Sequence, residues 1–193
     1  MPSVMTQPNV NNFSGGGRGG AAKAMPPPNR TTGPAHRLRG DLEGCLPWLD
    51  RANTRNPNYA QEKYSRGWTQ SLLGNAVSCQ TDVDAALALS PLDPLLYGMF
   101  GVRSFSHMVL GEPAKAVEWA ERAARAPSAH VLIELIAVVA HGLNGDDREA
   151  RSWAESASRR SPRLTRSDFL RAFPFRERQT RTHVLAPLER FGF

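Results

Sequence analysis

The chain has 193 residues, 40% of them hydrophobic, enough for one ordinary domain or one continuous buried seam. Its formal charge of +6 is unevenly spread: residues 1–40 carry five Lys and Arg and no acid, residues 41–158 carry ten against fifteen Asp and Glu, and residues 159–193 carry nine Arg against three acids. This acidic middle between basic ends removes the simplest argument for a nucleic-acid-binding surface, and two distant cysteines, Cys45 and Cys79, exclude a disulfide framework or a zinc site of closely spaced ligands.

Residues 1–39 include Gly15, Gly16, Gly17, Gly19, Gly20, Pro26, Pro27 and Pro28 among small polar residues. Few large apolar side chains stand there to offset ordering entropy, so a disordered basic tail is predicted. There is no apolar stretch of the secretory kind, and the longest greasy run, Val131 to Ala140, is short and interrupted by Glu134. A reducing, cytoplasmic setting without membrane contact is expected.

From Gly40 onward the sequence is periodic. Gly40, Gly74, Gly111 and Gly145 are 34, 37 and 34 residues apart, and Pro57, Pro91, Pro127 and Pro162 follow them at 17, 17, 16 and 17 residues. Between each glycine and its proline, small or apolar residues hold fixed offsets: Cys45, Cys79, Ala116 and Ala150 five after the glycine, Leu49, Val83, Ala120 and Ala154 nine after, Ala52, Ala86, Ala123 and Ala157 twelve after. These offsets share one helical face. The small first residue allows close helix approach, and the proline ends the helix.

A second helix is predicted before each later glycine, with Tyr64, Trp68 and Leu72, then Gly101, Phe105 and Val109, then Leu135, Val139 and Leu143 at matching positions. Each repeat is thus a pair of antiparallel helices joined at its glycine. The expected division is a tail over 1–39, a half-repeat over 40–57, repeats over 58–91, 92–127 and 128–162, and C-terminal capping helices over 163–193.

This pattern resembles the tetratricopeptide repeat (TPR), with its 34-residue period and its small residue, packing residue, Ala and closing Pro at these offsets. The resemblance implies an all-α, right-handed superhelix. More narrowly, Asn56-Pro57-Asn58-Tyr59-Ala60, Gly67-Trp68, the run Leu89 to Met99, Ala116 to Ala120, Phe173-Pro174-Phe175-Arg176 and Leu188 to Phe193 resemble the C-terminal repeat region of certain bacterial regulators. There the repeats follow a class III adenylate cyclase domain or a winged-helix DNA-binding domain. Pro47 departs from the pattern by falling inside a helix, and the repeat at Gly40 lacks its first helix. The expectation is therefore a truncated C-terminal region whose uncovered flank is a place where a second copy could stack.

No strand pattern is present to carry cyclase carboxylates, the five histidines lack metal-ligand spacing, and no phosphate loop or nucleophile elbow occurs, so neither an enzyme nor a cofactor is expected. Cys45 and Cys79 occupy the small-residue position and read as packing. Tyr64, Trp68 and Phe105 are candidate peptide-binding aromatics. Arg66 and Arg103, each eight before a glycine, and Gln70, His107 and His141, each four before, form a candidate polar ladder on one face of the first helices. Lining a concave groove, it would receive an acidic or C-terminal peptide. The function expected is non-catalytic binding of a protein or peptide. The alternative is a nucleic-acid-binding accessory using the tail and the C-terminal arginines.

Overall fold

The computed structural model describes residues 41–193; the expected tail and Gly40 fall outside the described residues. Among these residues there are nine helices and no strand: α1 (Leu42–Arg55), α2 (Ala60–Leu72), α3 (Ala76–Leu89), α4 (Leu96–Val109), α5 (Pro113–Ala124), α6 (Val131–Asn144), α7 (Asp147–Arg160), α8 (Arg166–Ala172) and α9 (Arg178–Arg190).

The glycines make the turns. Gly74, Gly111 and Gly145 adopt φ of 85°, 69° and 85°, the left-handed region where a Cβ is strained. In each turn the next residue donates its backbone N–H to the carbonyl five back: Asn75 to Gln70, Glu112 to His107 and Asp146 to His141, all at 2.9 Å. This closes the first helix on itself and sends the chain back antiparallel. A Cβ on Gly111 would meet nothing within 4 Å. Gly111→Ala is therefore expected to lower stability by about 1 kcal/mol through backbone strain alone, read as a shifted urea midpoint with an unchanged slope.

Pro57, Pro91, Pro127 and Pro162 stand exposed in the turns after α1, α3, α5 and α7. Pro47 lies inside α1 without ending it. It is exposed, so water can serve the carbonyl deprived of its partner.

Helices α2 and α3, α4 and α5, and α6 and α7 pack as pairs, and each pair packs on the next. Cys45, Cys79, Ala116 and Ala150, and likewise Ala86, Ala123 and Ala157, are fully buried, which lets the backbones approach closely. The first helices α2, α4 and α6 also touch one another in succession, whereas the second helices α3, α5 and α7 do not pack on each other in this way. The stack therefore curves with the first helices on its concave side, giving an all-α, TPR-like solenoid.

The C-terminal segment folds back onto this concave side. Thr165 and Asp168 cap α8 reciprocally: the Asp168 N–H donates to Thr165 Oγ1 and the Thr165 N–H to Asp168 Oδ2. Phe169, Phe173 and Phe175 then surround Phe105 of α4 with ring centroids 6.3, 4.9 and 5.0 Å away. The Arg176 N–H donates to the Leu72 carbonyl at 2.8 Å, serving one of the open carbonyls at the end of α2. Helix α9 returns along α6 and seats over Gly142, where a Cβ would come within 2.6 Å of Pro187. Arg190 Nη2 donates there to the Gly142 carbonyl and to Asp147 Oδ1.

Candidate functional site

The residues of the candidate ladder are engaged by other side chains of the chain itself. Arg66 Nε donates to Asp82 Oδ2 of α3 at 2.8 Å, and its Nη1 to Asp50 Oδ1 of α1 at 3.1 Å. Burial alone would lower the Arg66 guanidinium, but the hydrogen bond and charge of Asp82, with Asp50 behind them, hold it above its ordinary value. Asp82 is raised because desolvation outweighs its bond to Arg66. Arg103 repeats the arrangement one pair later. Its Nη1 lies 3.2 Å from Asp84 of α3, and its guanidinium lies 5.5 Å from the ring of Trp119, which stands where the previous pair has Asp82.

Gln70, His107 and His141 reach the residue that opens the following helix. Gln70 Oε1 accepts from Asn75 Nδ2 at 2.8 Å, His107 Nδ1 meets Glu112 Oε2 at 2.7 Å, and His141 Nδ1 meets Asp146 Oδ2 at 3.3 Å. Lys115 first, then His107, holds Glu112 below the usual carboxylate range; Asn144 first, then His141, does so for Asp146. Their charged forms are thus favoured in the fold. The stability they add is present at neutral pH and is lost as pH falls through their lowered range.

The candidate aromatics divide. Phe105 is 0% exposed at the centre of the core and presents no surface, which corrects its place in the groove set. Tyr64 and Trp68 stack with centroids 5.8 Å apart, and Trp68 also meets Phe173 at 6.3 Å. Together they wall a cavity of about 240 Å³ on the concave side. Its other walls come from Gly98 and Val102 of α4, Ile133 and Ile136 of α6, and Phe173. A Cβ on Gly98 would come within 2.3 Å of the Tyr64 hydroxyl, so the bare backbone is what lets the phenol lie against α4. Gln61 and His130 add polar groups to an otherwise apolar lining.

Among the described residues no group of three or more metal-ligating side chains occurs. Burial pushes the Cys79 thiol up to about 12, and its Sγ faces the Val102 carbonyl at 3.7 Å, so it stays protonated at neutral pH. No helix among the described residues is long and apolar enough to cross a membrane.

Two signals in the sequence point to these arrangements. Asp50, Asp84 and Glu121 all stand ten residues after a repeat glycine, marking acidic partners for the ladder. Phe169, Phe173 and Phe175 form an aromatic cluster following the last repeat.

No family model matches the chain, and no curated protein matches it. Among solved structures, the chain is similar to MamA, a TPR-like protein, with a TM-score of 0.58 and 15% identity, over 82% of this chain and 95% of that one. At that identity the likeness speaks for the fold alone, and it agrees with the curved stack of helix pairs joined by glycine turns.

Proposed function

We propose that this chain is a non-catalytic protein-interaction module that takes a large apolar side chain of a partner into the cavity between Tyr64, Trp68, Ile133 and Phe173. The observation that carries this reading is the division of the concave side. Its own C-terminal segment covers Phe105 and the end of α2, while an apolar cavity lies beside Phe173. At about 240 Å³ the cavity is smaller than the roughly 300–1,000 Å³ of sites that bury a drug-sized molecule, and suits an anchoring side chain. In this reading residues 40–162 form the repeat region and 163–193 its cap. By its resemblance to the repeat regions of bacterial regulators, the chain would be a truncated C-terminal repeat region of such a regulator, acting in the cytoplasm.

The alternative of a nucleic-acid accessory gains no support from the C-terminal arginines. Arg160 meets Glu134, Arg166 meets Glu189, Arg171 meets Asp168, Arg176 meets Glu43 and Arg190 meets Asp147. These side chains are used largely within the C-terminal segment or in tying it to the solenoid.

Leu132 lines the cavity and is partly exposed, so Leu132→Glu places a charge in the lining at modest cost to the fold. A protein enriched from cells by the tagged wild-type chain should fall at least about tenfold with this variant, a loss of about 1.4 kcal/mol. Equal enrichment by both chains would sink the reading.

A further inference from the structure

We propose that His141 is a proton-dependent clamp holding the third helix pair on the second, in place of the permanent arginine braces used earlier in the stack. His141 is 3% exposed on α6, and both ring nitrogens face carboxylates: Nδ1 lies 3.3 Å from Asp146 Oδ2 and Nε2 lies 3.2 Å from Glu121 Oε1. A neutral imidazole has one N–H and one lone pair, so it serves one of these acids and turns a lone pair towards the other. Only the imidazolium donates to both. Glu121 belongs to α5 and Asp146 is the residue before α7, so the two bonds together join three helices.

The earlier pairs show what this clamp replaces. Ten residues after the repeat glycine, Asp50 and Asp84 are held by Arg66 and Arg103 of the following first helix. At the third pair that arginine position is Ala137, which has no donor, and the corresponding acid, Glu121, turns to His141. His107, one pair earlier, has no such second acid: its Nε2 is buried without a hydrogen-bond partner. A tie that cannot titrate thus becomes one that can.

Each acid of the clamp also has a second partner. Glu121 also takes Arg125 at 2.9 Å, and Asp146 takes the Asn144 amide at 2.7 Å. Asp147 next to it is engaged by Arg190 from α9. The clamp is complete when the imidazole is protonated and both carboxylates are ionised. With a neutral ring it keeps one acid and releases the other, loosening α6 against α5.

The test compares full-length wild type with His141→Gln, glutamine being the residue at the equivalent position Gln70, by urea unfolding at pH 5.5 and 8.5. The midpoint should drop at least twice as far at pH 5.5 as at 8.5. Nitrogen-detected NMR of wild type should show both His141 ring nitrogens protonated at pH 5.5. An equal drop at both pH values, or a singly protonated ring at pH 5.5, overturns the proposal. If His141→Gln does not fold, Glu121→Gln on the partly exposed α5 partner decides it. A loss confined to pH 5.5 supports the clamp, and an equal loss at both pH values overturns it.

Discussion

Phe105→Ala is expected to remove about 4 kcal/mol of stability, the largest loss of any single truncation in the core. The ring is fully buried and is the hub on which Phe169, Phe173 and Phe175 converge. Its loss combines an apolar transfer term and a residual cavity with edge-to-face contacts worth about 0.5–1.5 kcal/mol each. Against a total of about 5–15 kcal/mol for a domain, this is a large share. The C-terminal segment should loosen first, because Phe105 is its main anchor. Trypsin should then cut at Arg176 or Arg178 faster than in α4 or α6. A loss under about 1 kcal/mol would show that the segment is not seated on Phe105.

Arg66→Glu has the second-largest expected effect. Asp82 is 4% exposed and its carboxylate is compensated by Arg66 and, at a distance, Lys63. Replacing the guanidinium with a second carboxylate leaves a buried charge facing its own sign. Breaking a buried pair costs about 3–5 kcal/mol; since the Arg66 side chain is 29% exposed, about 2–3 kcal/mol is expected at pH 7. The sign with pH follows from Asp82. Its folded value is already raised, so its protonated form is the one the fold favours, and removing Arg66 raises it further. The loss should therefore be smaller at pH 4 than at pH 7. A loss that grows on acidification would contradict the brace. A small effect on partner binding, once folding is corrected for, would agree with a structural role for Arg66.

Much of the fold was legible because its turns depend on single residues. A left-handed turn needs glycine and a helix end tolerates proline, so Gly74, Gly111 and Gly145 with their prolines mark the hairpins almost without regard to context. Fully buried small residues such as Ala116 and Ala150 are legible for the same reason: close helix approach allows little else. The face of the first helices was not legible. Arg66 and Arg103 look like free cations in sequence, because their partners Asp50, Asp82 and Asp84 lie on other helices and become neighbours only when the pairs stack. The return of Phe173 and Phe175 onto Phe105 is a long-range event of the same kind. It moved Phe105 from the candidate surface into the core, and left Tyr64 and Trp68 in the lining of the concave cavity.

The most direct measurement is site-specific photo-crosslinking with the partner present, placing a photoreactive phenylalanine at Leu132 on the cavity and, in a second chain, at Val77, which is exposed on α3. An adduct formed from position 132 and not from position 77 is the predicted result. An adduct from position 77 alone, or from neither while the partner still co-purifies, would contradict binding at the concave cavity.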